Sequence, residues 1–255
     1  MAGHSKWANI RHRKERQDKK KGKVWSKCSR AIMAAARQGG ADISTNLTLR
    51  YAIEEAKAAN MPKDTIQRAV DKGSGAGGKD DYVEISYEGY GPNGVAILID
   101  ALTDNRTRTV NDVRMAFSKN GGNVGNPGSV AYMFQTRGRI YVEAGEEVDQ
   151  DKLMEVAIEA GAEDVQPPEG DASDEPGVWT ILTEPTDMLT VREALEAASL
   201  TIADAEVTKI PDTMVDLDAD SATKLLRLVD ALEDNDDVQK VYHNAEIPDE
   251  AYAEA

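Results

Sequence analysis

The sequence predicts a multi-domain protein of α and α+β class. An N-terminal helical domain is followed by two α+β domains, one of them ferredoxin-like and inserted into the other. Three observations lead there. Apolar residues recur at helical spacing up to Val70 and at alternate positions from Val83, with the glycine-rich stretch GSGAGGK (residues 73–79) between them. From Ile140 to Val207 the elements read βαββαβ, the split-βαβ order. Beyond Val207 the chain offers only a short strand, a helix and a strand, too small for a domain of its own, so this tail completes the sheet begun at Asp80, against the general tendency of consecutive elements to be neighbours. The expected boundaries are 1–79 for the helical domain, 80–137 with 208–246 for the discontinuous α+β domain, 138–207 for the insertion, and 247–255 for an acidic tail.

Element by element, Val24, Trp25, Cys28, Ala31, Ile32 and Ala35 fall on one stripe of a first helix, which Gly39 and Gly40 end. Asn46 caps a second helix, Thr48 to Ala59, and Pro62 fits the first turn of a third that carries Ile66, Ala69 and Val70. The run Gly73 to Lys79 imitates two nucleotide-binding loops. Those loops need a strand before and a helix after, and here the order is reversed, so it reads as a linker.

Val83, Ile85 and Tyr87 alternate, Gly91 to Gly94 makes a turn, and Val95 to Leu102 is a buried strand. The cluster TDNRTRT (103–109) opens a helix carrying Val110, Val113, Met115 and Phe117. It has two readings, a capped helix start with exposed arginines, or a phosphate site made by Arg106 and Arg108 beside free backbone amides. The glycines of GGNVGNPGS (121–129) serve tight turns, with backbone contact to a ligand as the minority reading. Beyond them come a strand at Ile140 to Glu143, a helix at Gln150 to Glu159, a strand at Asp164 to Gln166, a strand at Val178 to Thr183, a helix at Met188 to Ala198 and a strand at Ile202 to Val207. A strand at Met214 and Val215, a helix from Ala219 to Leu232 and a strand from Val238 to Tyr242 finish the chain. Asp216, Asp218 and Asp220 mimic a calcium loop, but Ser221 and Arg227 stand where it needs Gly and Glu, so helix capping accounts for them.

Charge is divided along the chain. Its net charge is −16, yet Met1 to Arg30 holds eleven Lys or Arg against Glu15 and Asp18, a local balance of +9. From Ile140 onward there are six bases and 32 acids. Such asymmetry points to a polyanionic partner for the basic end, and to protein contact, geometry or solubility as the role of the acidic half. The candidate nucleic-acid contacts are Lys6, Trp7, Arg11, Arg13, Lys14, Arg16, Lys19, Lys20, Lys21, Lys23, Lys27 and Arg30, joined by Lys63, Arg106 and Arg108. Trp7 and Trp25 either stack on unpaired bases or anchor the run on the protein's own helices. The competing reading of the run is a solvated tail.

The single cysteine, Cys28, lies on an apolar stripe; it excludes an internal disulfide and a thiolate zinc cluster and fits a reducing cytosol. No apolar run of about 18 residues occurs, and the N-terminus lacks a secretory signal, so no membrane partner is expected. His4, His12 and His243 form no catalytic set, and no carboxylate pair stands out by spacing. The chain reads as a non-enzymatic monomer without cofactors.

Several strings resemble the YebC family: AGHSKW at 2–7, LRYAIEEAKAANMPKDTIQRAV at 49–70, YEGYGP at 87–92, LTDNRTRT at 102–109 and GGNVGNPGSV at 121–130. The matching positions are Gly3, His4, Ser5, Lys6 and Trp7, then Asn60, Met61, Pro62 and Lys63, then Asp104, Asn105, Arg106 and Arg108. Ile43-Ser44-Thr45 departs from the acidic-Pro turn of many relatives. The resemblance implies three domains, helical first with a ferredoxin-like insertion, a cytoplasmic location, no enzymatic activity, and contact with DNA or with RNA and the ribosome through the basic domain. Three functions stand as expectations. The first is a transcriptional regulator that binds DNA, the second a translation factor on ribosomal RNA, and the third an acidic protein-interaction scaffold.

Overall fold

The structure, a computed structural model, describes residues 20–75, 82–145, 148–168 and 177–254. Three helices come first: α1 (Lys21–Gly39), α2 (Leu47–Ala58) and α3 (Lys63–Ser74). The predicted stripe is their shared core, where Cys28, Ile32, Ala35 and Ala36 of α1 meet Leu49, Ile53 and Ala56 of α2 and Ile66, Ala69 and Val70 of α3. Each fully buried Ile or Leu contributes about 1.5–3 kcal/mol. Asn46 caps α2 by accepting from Leu49 N–H at 3.0 Å, and its amide also donates to the Ala35 and Gly40 carbonyls, so one side chain sets the α1–α2 corner. Gly73 is no linker residue. It is buried in α3, and a Cβ there would lie 2.5 Å from the Met33 carbonyl oxygen, so glycine is what lets α3 approach α1. The rest of the predicted linker, 76–79, lies outside the described residues.

The next sheet holds β1 (Val83–Tyr90), β2 (Ala96–Thr103), β3 (Asn123–Val124) and β9 (Val238–His243) in the order β3-β1-β2-β9. The β1–β2 hairpin turns through Pro92–Gly94, and β2 pairs antiparallel with β9 across nearly the whole intervening sequence, Ile99 facing Val241. Apolar faces of α4 (Arg106–Lys119) and α7 (Ala219–Glu233) close over it, with Phe117, Leu225, Leu228 and Leu232 fully buried. Met115 does not join that core. It is 51% exposed, because the helix turns Val113 and Phe117 inward and leaves position 115 on the outer arc.

The βαββαβ order is β4 (Phe134–Glu143), α5 (Gln150–Glu159), β5 (Ala162–Gln166), β6 (Val178–Thr183), α6 (Met188–Ala197) and β7 (Ile202–Pro211). These strands form one antiparallel sheet ordered β5-β6-β4-β7, the ferredoxin-like arrangement. Ile140, Ile181, Leu153 and Leu195 are fully buried. β4 begins six residues before its apolar signal, since Phe134 to Arg139 pair with β7 through backbone groups whatever their side chains. The described residues of Phe134–Asp212 make up one compact unit, and those of Glu15–Met133 and Thr213–Ala255 make up the other.

After β7, β8 (Val215–Asp216) pairs in parallel with β10 (Ala245–Glu246), and α8 (Asp249–Glu254) ends the described chain. The predicted acidic tail is therefore partly structural, with Ile247 and Ala251 buried in the core that α7 covers. Deleting 247–255 should lower stability by about 2–4 kcal/mol, read as a lower denaturant midpoint. Burial, with Glu55 adding to it, pushes the Cys28 thiol up to about 12. A thiol reagent at about pH 8 should leave Cys28 unmodified until the protein is denatured.

Candidate nucleic-acid interface

Residues three and four apart share a face of a helix, so Lys20, Lys23, Lys27 and Arg30 form one row along α1. The row faces the end of α7 and the turn 233–237 that leads into β9. A helix C-terminus is its negative pole, with carbonyls that lack partners inside the helix. Lys27 Nζ donates to the Glu233 carbonyl at 2.6 Å, Lys23 Nζ to the Asp234 carbonyl at 3.1 Å, and the Arg30 guanidinium to the Asp236 carbonyl at 2.5 Å. Lys20 Nζ adds an ion pair to the Asp234 carboxylate at 2.8 Å. Burial pulls the Lys27 ammonium below the ordinary lysine value, against the raising effect of Glu233 and Asp236. A reverse pair, Lys240 of β9 with Glu55 of α2 at 3.3 Å, completes the seam.

Asp237 is the hub behind this row. Its carboxylate is buried and accepts from Arg108 Nη2 at 2.6 Å, Thr109 Oγ1 at 2.8 Å and Thr103 Oγ1 at 3.2 Å, while Arg30 Nη1 lies 3.3 Å from its other oxygen. Asn105 caps α4 by accepting from Arg108 N–H at 3.0 Å, and Arg108 also pairs with Asp104 at 2.8 Å. The TDNRTRT cluster thus follows its first reading as regards Arg108, whose guanidinium is bound to the protein's own carboxylates. In this conformation Lys27, Arg30 and Arg108 are not free phosphate contacts, and sequence alone hides most of this because, apart from Asp104, their partners in 233–237 lie more than a hundred residues away.

Among the other predicted contacts, Lys63 and Arg106 stand exposed at the first turns of α3 and α4, where the charge of Arg106 acts on the Tyr87 hydroxyl. Lys21 lies 5.5 Å from the centre of the Trp25 ring, and the Trp25 indole donates to the Ala59 carbonyl at 2.9 Å, so Trp25 anchors α1 to α2. Lys6, Trp7, Arg11, Arg13, Lys14, Arg16 and Lys19 lie outside the described residues. The sequence reading missed the outer face of α3, where Gln67 and Arg68 are exposed beside Lys63, and the exposed Arg114 and Lys119 of α4. Helical spacing from the buried Ile66 and Val70 was the signal that could have placed Gln67 and Arg68 outward.

The glycine-rich loop after β3 binds an anion of its own. The buried Glu88 carboxylate accepts from the backbone N–H groups of Gly128 and Val130 at 2.6 Å and of Ala131 at 2.8 Å. Gly128 sits at φ +85°, the left-handed conformation that lets these amides converge. Burial alone would raise the Glu88 pKa; the amides of Val130, Gly128 and Ala131 outweigh it and hold the carboxyl below its usual range. Among the described residues no cluster of His, Cys, Asp or Glu suits a metal ion, and no helix is long and apolar enough to cross a membrane.

Asp237→Asn should cost about 2–4 kcal/mol, since it weakens a buried acceptor that several donors share. Burial raises the Asp237 pKa, but the hydrogen bonds from Arg108, Thr109 and Thr103 prevail and lower it. A carboxyl whose pKa is depressed on folding stabilises above its unfolded value and loses that contribution as pH falls through the folded one. The stability gap between wild type and Asp237→Asn, measured by urea melts, should therefore shrink below about pH 4.

Two family profiles match the chain, TACO1/YebC protein N-terminal domain over residues 5–76 and TACO1/YebC second and third domain over residues 82–245. It is similar to a "Probable transcriptional regulatory protein" of Pseudomonas fluorescens, 54% identical over 249 residues, with 98% of this chain and 97% of that one covered. The "Transcriptional regulatory protein PmpR" of Pseudomonas aeruginosa is 52% identical over 254 residues, with 100% and 99% covered. A solved structure of a conserved hypothetical protein from Aquifex aeolicus superposes with a TM-score of 0.74 at 46% identity, covering 89% of this chain and 90% of that one. With the helical segment and both α+β parts matched in order, the chain belongs to the TACO1/YebC family.

Proposed function

We propose that this protein is a non-enzymatic, cytoplasmic transcriptional regulator that binds DNA through residues 1–79. The separation of charge carries the reading. Residues 1–79 hold 18 Lys or Arg against 7 Asp or Glu, whereas residues 134–212 hold five against twenty. A phosphate backbone is drawn to the first and repelled by the second. The names of the relatives support a role in transcription. In this reading 80–137 with 208–246 carry the binding domain, and 138–207 face protein partners.

Duplex DNA is favoured by the α2–α3 connection. The two helices are separated by four residues, Ala59–Pro62, with Asn60 at φ +56° in the turn, and the second helix opens on exposed Lys63, Gln67 and Arg68. Arg and Gln are the side chains suited to guanine and adenine edges in a major groove. Asp64 and Asp71 share that exposed face and favour a second reading, a translation factor that grips ribosomal RNA by its phosphates, because carboxylates beside Arg68 oppose close entry into a groove. Sedimentation in low salt separates the two: a promoter regulator stays at the top of a sucrose gradient, and a ribosome factor travels with subunits.

If about five cations contact phosphates, log affinity for a DNA duplex should fall with log salt at a slope of about −4 to −5. A slope near zero would remove the proposal. Lys63→Ala should weaken binding to all duplexes alike, and Arg68→Ala should cost about 1–3 kcal/mol on preferred sequences while relaxing the preference. Equal losses for both variants on every sequence would argue against base reading by α3.

A further inference from the structure

The row on α1 is satisfied by groups that stand in for phosphate: the carbonyl oxygens of Glu233, Asp234 and Asp236 and the carboxylates of Asp234 and Asp237. At 1.5 Å per residue, Lys20 to Arg30 extends over about 15 Å, long enough to follow several phosphates. Shielding is graded along it. The Arg30 side chain is 19% exposed, whereas those of Lys23 and Lys20 are 47% and 40% exposed, so the row is most open at its Lys20–Lys23 end. Exposed ion pairs are weak and yield to a ligand of higher charge density, while the shielded Lys27 and Arg30 contacts hold the helices in place.

We propose that the α1 row is a polyanion-binding surface closed by the acidic corner 233–237, and that a nucleic-acid backbone opens it by displacing Asp234 from Lys20 and Lys23. The proposal rests on the nucleic-acid reading of residues 1–79 and adds its regulation. The protein's own C-terminal segment competes with the ligand, so affinity is set by the corner as well as by the cations. Asp236 takes part through the field it exerts on Lys27, and its side chain, like that of Asp234, is exposed and replaceable without disturbing the core.

The test uses the full chain and a DNA duplex of about 20 base pairs at about 50 mM salt, with the variants Asp234→Asn/Asp236→Asn and Lys20→Gln/Lys23→Gln. Asp216→Asn/Asp220→Asn serves as control, because it makes the same change in net charge near the far end of α7, about 20 Å away. The corner variant should bind at least about five-fold tighter than the control, and the Lys variant correspondingly weaker than wild type. Hydrogen exchange of wild-type α1 and of 233–237 should quicken at the corner when the duplex is added. Equal affinities for corner variant and control, or undiminished binding by the Lys variant, overturns the proposal while salt-dependent binding by wild type leaves the nucleic-acid reading standing. If neither wild type nor the corner variant binds, both fail together.

Discussion

A carboxylate withdrawn from water is tolerated only when its lone pairs are filled, and Asp237 fills them from three parts of the chain at once. Thr103 ends β2, Arg108 and Thr109 begin α4, and Arg30 comes from the helical segment. The Asp237 backbone takes part too, its carbonyl accepting from Leu102 N–H at 2.7 Å. The start of α4, the end of β2, the entry to β9 and the seating of α1 are therefore fixed at one point. Residues that bound this hub, such as Asn105 and Asn235, orient backbone groups around it.

The acidic residues of this chain are consequently not of one kind. Asp234 and Asp237 neutralise cations that a count along the sequence assigns to an outside partner, and Glu88 fills a cradle of backbone amides that would otherwise attract a foreign anion. Removing these internal anions from the reckoning leaves most of the acidic excess in 134–212, where five bases face twenty acids. Net charge by segment carries the sign of each part of the surface; it does not tell which cations are already taken.

What was legible in the sequence is what depends on neighbours a few residues apart. The spacing of Val24, Cys28, Ile32 and Ala35, the Asn46 cap and the limits of Gln150–Glu159 and Val178–Thr183 follow from local periodicity and capping chemistry. Met115 was misplaced because an apolar residue carries no mark of the side on which its helix is covered. Gly73 was assigned to a linker because a glycine demanded by close helix packing looks the same in sequence as one demanded by flexibility. The seam between α1 and 233–237 was illegible for a further reason: its acids lie in a run, Glu233 to Asp237, that reads as an ordinary polar turn.

The strand order carries a consequence for biosynthesis. β2 waits for β9 as its neighbour, and β9 is made more than 130 residues later, whereas β4 to β7 find all their neighbours within one continuous stretch. As the chain leaves the ribosome, the ferredoxin-like sheet can close while the hairpin β1–β2 still shows an unpaired edge along Ile97 and Ile99. The nascent protein thus spends a long vulnerable interval with its most apolar strand uncovered, and the arrival of β9 decides whether that interval ends in folding or in aggregation.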